Sequence, residues 1–277
     1  MSARISFYSR TKVVTRKDFV LRLISKGFFI FQGGGILKLI DMHAHSKGIS
    51  VCSKIDVFNN ILLAKEYGMD GFILTNHYQK AYVVDNDSVA LAKKYIKEFH
   101  DAKEFGDTIG FDVYFGIEVT LTINLKLHLL IYGVSEEFLL TYSDIYDYPV
   151  ERIYSLVKEA GGILIQAHPL RREENLLLPL EYLDGIEINC HQIYKHTHIK
   201  ELTPIAIENN KLLTCGADYH HDCARPTCGL YVSDDVKDIN DLVKYLLNNE
   251  KYSMCVHEPF TDGPYDVVYT KGIKLEF

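Results

Sequence analysis

Many of the devices that announce a function are missing from this chain of 277 residues. Its six cysteines (Cys52, Cys190, Cys215, Cys223, Cys228, Cys255) include no CxxC pair, so the usual structural-zinc and dithiol-redox motifs are excluded. In a chain of this size the thiols are expected to be reduced, as in the cytoplasm. There is no GxSxG elbow for serine hydrolysis. Gly33-Gly34-Gly35 lacks both the GK[ST] of a phosphate loop and the full dinucleotide spacing, and reads as a linker. An excess of positive charge is also lacking. With 30 basic and 37 acidic residues the net charge is −7, which gives no general attraction to polyanions. The 19 tyrosines are not grouped with basic residues in any RNP-like string, so no extended nucleic-acid surface is expected. No long apolar run is present. The stretch from Phe19 to Phe31 is interrupted by Arg22 and Lys26, is too short to span a bilayer and has no small-residue cleavage site. Neither a membrane anchor nor a secretory leader is expected.

The chain does contain enough apolar material, 47%, for one large core, and the pattern predicts a single domain over 36–277 preceded by a basic extension over 1–35. Short apolar runs alternate with helical spacing. Ile36 to Met42 reads as a strand. A helix follows from Asp56, a possible N-cap, to a stop at Gly68. Gly71–Thr75, Phe111–Val119, Leu127–Tyr132, Ile163–Gln166, Gly185–Asn189 and Leu212–Cys215 read as further strands. Helices are expected near 87–105, 150–160 and 199–209, and the tail, with Leu242, Val243, Leu246 and Leu247 on one helical face, is expected to be structural. Strands alternating with helices predict parallel βα units in an α/β barrel, whose polar residues gather at the C-terminal strand ends.

Six of the twelve histidines stand beside such ends: His43 and His45 in Asp41-Met42-His43-Ala44-His45-Ser46, then His77, His128, His168 and His220. Two acids accompany them, Glu118 and Asp218. A lone histidine is more often a satisfied polar group than a ligand, but imidazoles and carboxylates recurring at the ends of apolar runs are what a multi-metal hydrolytic site requires. These motifs resemble those of the polymerase and histidinol phosphatase (PHP) superfamily. His43-Ala44-His45-Ser46 looks like its opening HxH, Thr75-Asn76-His77 like its TDH and Gly116-Ile117-Glu118 like its GxE. His128 matches its isolated histidine, Ala167-His168-Pro169 its HP, and Gly216-Ala217-Asp218-Tyr219-His220 its GxDxH. The match runs from about Leu37 to Val232.

The resemblance implies a distorted (β/α)7 TIM-like barrel holding two divalent metals, zinc, manganese or iron, with a third as an option. By similarity His43, His45 and Asp218 would hold one metal, Glu118 would bridge it to a second held by His128 and His168, and His77 and His220 would hold the third. Glu118, Asp218 and His220 are taken to carry the chemistry. Two departures weaken the third site. The stretch Ser46–Ser53 supplies no ordinary ligand, Cys52 being read as a small packed group, and Asn76 stands where the family has Asp. Arg171, Arg225 and Lys47 are candidates to bind substrate, since guanidinium matches phosphate bidentately; Arg172 and His191 are read as surface and rim residues. The expected activity is metal-dependent hydrolysis of a phosphomonoester on a small metabolite, nucleotide or oligonucleotide end. Hydrolysis of an amide or lactone in an amidohydrolase-like site, and a metal-binding regulatory domain without turnover, stay open.

Overall fold

Turn chemistry sets the ends of the elements. The structure, a computed structural model, describes residues 37–220 and 227–272; the 1–35 extension and Arg225 lie outside the described residues. In chain order the elements are β1 (Leu37–Ala44), α1 (Val57–Glu66), β2 (Gly71–Leu74), β3 (His77–Tyr78), α2 (Ser88–Ile109), β4 (Asp112–Thr120), β5 (His128–Tyr132), α3 (Glu136–Thr141), α4 (Val150–Glu159), β6 (Ile163–Gln166), β7 (Gly185–Asn189), α5 (Ile199–Glu208), β8 (Leu212–Gly216), β9 (Gly229–Ser233), α6 (Ile239–Asn248), β10 (Lys251–Val256) and β11 (Tyr265–Thr270). Asp56 caps α1 by accepting the Asn59 N–H, and Asp87 caps α2 by accepting that of Ala90. Such a cap contributes about 1 kcal/mol. α2 ends on Gly110, whose φ of 67° few other residues adopt.

The strands form a nearly closed, barrel-shaped sheet. Starting at β1, neighbours run β2, β4, β5, β6, β7, β8, and the short β3 pairs with β4. β8 returns to β1 through an isolated parallel bridge between Ala44 and Tyr219, where the Asp218 N–H donates to the His43 carbonyl at 2.8 Å. β1–β2, β2–β4, β6–β7 and β7–β8 are parallel, as the alternating pattern predicts. One strand departs from it: β5 is antiparallel to both β4 and β6. Its first residue, His128, pairs with Thr120 near the end of β4, so the reversal carries the N-terminal end of β5 to the rim that the other strands reach with their C-termini. The tail holds more than its expected helix. β9, β10 and β11 extend the sheet in antiparallel fashion from the outer edge of β1.

Ile40, Met42, Ile73, Ile117, Leu130, Ile165, Ile186 and Leu213 are fully buried among the strands. Each side chain of this kind contributes about 1.5–3 kcal/mol relative to exposure. Against that apolar scaffold the buried charged residues stand out: Asp41, His43, His45, Glu118, His168, Glu187 and Asp218 are all at most 2% exposed.

Candidate metal centre

The eight candidate ligands converge at one rim. Glu118 stands at the middle. Its Oε1 lies 2.9 Å from His128 Nδ1, 3.0 Å from His168 Nε2 and 3.4 Å from His43 Nε2; its Oε2 lies 2.5 Å from His77 Nδ1 and 3.3 Å from His45 Nε2. Asp218 Oδ1 lies 3.0 Å from His45 Nε2, 3.3 Å from His220 Nδ1 and 3.5 Å from His43 Nε2. Three overlapping donor groups result, each with its ligand atoms within 4.8 Å of one another: His43–His45–Asp218, His77–Glu118–His128 and His45–His77–His220. The first coincides with a grouping the resemblance implies. In the second, His77 takes a place beside Glu118 and His128, and His168 approaches the same carboxylate from another side.

Tautomers are fixed from behind. His43 Nδ1 is 2.7 Å from Glu187 Oε1, which accepts its proton and turns the Nε2 lone pair to the centre. His45 Nδ1 donates to Ser50 Oγ at 3.0 Å, with the same result. The two Nε2 atoms then face each other at 2.9 Å. At that distance either a proton on one nitrogen, which makes the contact a hydrogen bond, or a cation beside both keeps the two lone pairs from repelling. Other atoms make the same point: Glu118 Oε2 and His77 Nδ1, though close, are not aligned for a hydrogen bond, and both are buried without one, as are His168 Nδ1 and Asp218 Oδ1. Burying charged groups costs on the order of several kcal/mol per ion unless they are compensated. Orphaned nitrogen and carboxylate atoms sharing one buried volume fit divalent metal ions with borderline nitrogen and hard oxygen preferences.

The electrostatics agree. Burial opposes ionisation of Glu118, but His77, His43 and His128 hold its carboxyl well below the ordinary range. Asp218 is likewise buried, and His43, Arg171 and His220 hold it low. Burial works against a proton on His77, yet Glu118 raises it to about 10. His43 is raised in the same way by Glu187, Glu118 and Asp218. His45 and His168 are lowered, by burial first and then by neighbouring cations. With both carboxylates held ionised and His43 and His77 favouring a proton, the cluster favours positive charge at its centre.

The backbone is bent to bring these groups in. His168 and Asp218 have φ of 35° and 50°, and Leu170 has 66°. Non-glycine residues held there cost about 1–3 kcal/mol each, a strain that collects at functional sites. Gly216 performs the reverse service. A side-chain carbon on it would stand 2.4 Å from His43 Cβ and 2.7 Å from Glu187 Oε1, so only glycine lets β8 pass beneath the first histidine.

Several expectations are revised. Asn76 does not face the ligands: its Oδ1 accepts from the Ser46 N–H at 2.7 Å and the Ser50 hydroxyl at 2.8 Å, and Ser50 Oγ in turn accepts the His77 N–H at 2.9 Å. The residue thus orients His45 and His77 through Ser50. Cys52 is exposed rather than packed. Its thiol lies beside His220 and His77, which, against the effect of burial, draw it down to about 6. His191 is buried rather than on the rim, with its ring 5.8 Å from that of His220. Arg171 is nearly buried, donates to Asp218 Oδ2 and packs its guanidinium 4.5 Å above the Tyr194 ring. Lys47 is exposed and lines a separate surface hollow with Lys54, Asp56 and Asn59, apart from the ligands. Two residues were missed by the sequence reading. Asp41 accepts the His43 and Ala217 N–H groups, and Glu187 also accepts the His168 N–H at 3.0 Å. A charged residue inside the apolar run Gly185–Asn189 was the available signal for Glu187.

No protein-family model and no curated relative matches the sequence. Solved structures do. One is a two-domain protein from Bacteroides vulgatus containing a predicted PHP-like metal-dependent phosphoesterase, 16% identical, with a TM-score of 0.61 over 81% of this chain and 66% of that one. PsfC from Pseudomonas syringae is also 16% identical, with a TM-score of 0.55 over 75% of this chain and 88% of that one. An amidohydrolase from Chromobacterium violaceum, 13% identical, aligns at 0.49 over 66% and 88%. The fold is therefore that of PHP-like barrel proteins, and the present chain spans about two thirds of the Bacteroides protein's length.

Proposed function

We propose that this chain is a metal-dependent phosphoesterase acting on a phosphomonoester, carried by a small metabolite, a nucleotide or an oligonucleotide end, in the cytoplasm. Beside His128 and His168 opens a hollow of about 120 Å³, lined also by Lys126, Arg171, Arg172 and Asn175. The observation that carries the reading is Arg171, whose Nε is buried without a hydrogen-bond partner next to that hollow. A guanidinium N–H left unpaired beside a metal centre suits a phosphate oxygen, and three cations lining one small hollow suit a dianion better than a neutral amide or lactone. Among the described residues no helix is long and apolar enough to cross a membrane. The domain is taken to run over 36–277, with 1–35 an extension of unassigned role.

His43, His45 and Asp218, with Glu118, His128 and His168, would hold two divalent ions of zinc, manganese or iron, and His77 and His220 a weaker third; once bound they polarise a water and stabilise the charge building on the phosphate oxygens. Glu118 spans the donor groups. Asp218 lies beside His45 with one oxygen and accepts from Arg171 with the other, so the proposed substrate and metal sites share one carboxylate. Burial disfavours a proton on His220, yet Asp218 and Cys52 raise its affinity for one, so in the two-metal state, with no third ion on it, it is suited to hand a proton to the leaving oxygen. Arg225 belongs to the same proposal as a second clamp.

The test is elemental analysis of purified protein, followed by phosphomonoesterase and exonuclease assays after loading with each metal, alongside lactone and amide substrates. Phosphomonoester turnover with more than one metal per chain is expected. Fewer than one metal per chain and no turnover under any loading, or turnover of the lactone and amide panel alone, would sink the reading.

A further inference from the structure

A second cluster of donors lies on the other face of β8. Side chains alternate along a strand, so Cys215 points away from the face on which Gly216 meets His43. There it meets Cys190, the first residue after β7, and Cys228, which precedes β9. All three are at most 2% exposed, and their sulfurs lie within 4.8 Å of one another, Cys190 and Cys215 at 3.4 Å. Three sulfurs on one tetrahedral ion, each about 2.3 Å from it, stand about 3.8 Å apart. The observed spacing needs only small shifts to match.

A buried cysteine is ordinarily a small apolar group, and one such residue would call for no comment. Three from separate segments, touching through sulfur, are different. The neighbouring Cys255 is not part of the group: its thiol donates to the Thr227 carbonyl at 3.1 Å. Burial opposes ionisation of all three: Cys215 and Cys228 are held well up, by burial first and then by Cys190, while hydrogen bonds from these two thiols and from the His257 N–H draw Cys190 well down. Among donors, thiolates select thiophilic ions, whereas the histidine and carboxylate face suits borderline and harder ones.

We propose that Cys190, Cys215 and Cys228 form a separate site for one thiophilic d¹⁰ ion, such as zinc, which clamps the end of β7, β8 and the entry to β9. Binding releases the thiol protons to solvent, and no electron transfer is involved. The clamp fastens the strand that leads into Asp218 to the β9–β10 extension. It is independent of the phosphoesterase reading and stands or falls separately.

Cadmium is the probe, because sulfur-to-cadmium charge transfer absorbs in the ultraviolet and nitrogen or carboxylate ligation does not. The full chain is titrated under reducing conditions in a Cys52→Ala background, which removes the thiol beside the histidines. One equivalent of thiolate absorption and a higher Tm are expected, both lost on adding Cys215→Ala or Cys228→Ala, with circular dichroism of the metal-free variants unchanged. If those variants do not fold, alkylation of the Cys52→Ala protein in a denaturant concentration at which the metal-free thiols react decides: one cadmium equivalent should protect Cys190, Cys215 and Cys228 together. Absence of the band, its survival in Cys215→Ala, or a lack of protection overturns the proposal.

Discussion

The two faces of β8 carry opposite kinds of buried chemistry. On one, Gly216 gives way so that His43, Glu187 and Asp218 can crowd together with the other nitrogen and oxygen donors; on the other, Cys215 meets two further thiols. The first face is polarised, with ions in contact and several atoms unpaired. The second is made of weakly polar groups that pack almost as hydrocarbons do. One strand can thus keep two classes of donor apart with nothing more than its alternation. A fault on one face should leave the other standing.

The severest way to break the comparison is Glu118→Gln. It removes the carboxylate that five imidazoles approach, and metal content at the histidines and phosphoesterase activity should both fall to background, while cadmium absorption at the thiols persists; elemental analysis and spectroscopy of the same sample check this. Gly216→Ala strikes the wall between the faces. The added carbon forces His43 aside, and a fall in Tm corresponding to about 1–3 kcal/mol, with loss of metal, is expected from thermal unfolding. Glu187→Gln leaves the first histidine able to reach the metal but less firmly aimed, and should weaken metal affinity about 10–100-fold in a calorimetric titration.

A gentler probe is pH. In the metal-free protein the proton on His77 is stabilised by Glu118; its contribution to stability is complete below the ordinary imidazole value of 6.5 and is lost as pH rises toward about 10. Metal competes for the same nitrogens. Over that interval the Tm of metal-free protein should fall while metal affinity rises, with proton release visible as a dependence of binding heat on the buffer. A metal affinity flat across this range would place the ions elsewhere.

The two faces also differed in how far they could be read in advance. His43, His77, His168 and Asp218 each stand at or within a few residues of the end of an apolar run, so the pattern of runs sent them to one rim, and the antiparallel turn of β5 did not disturb this because His128 heads its strand. The cap at Asp56 was legible for the same local reason. The thiols were not. Cys190, Cys215 and Cys228 stand far apart in the chain and look apolar in any pattern, and their meeting depends on the β9–β10 extension, whose pairing with β1 no short-range signal announces. Glu187 and Ser50 lay between these extremes, since a helper to a histidine is recognisable only once the histidine's other nitrogen has been located.

The backward course of β5 has an evolutionary consequence. Elsewhere in the barrel a loop between strand and helix can lengthen without moving a ligand, but the Leu121–Leu127 turn leads straight into His128 and itself contributes Leu125 and Lys126 to the basic hollow. Any insertion that reshapes the hollow therefore pulls on His128, a candidate metal ligand. On the proposed function, substrate range and metal retention would be inherited together through this one hairpin.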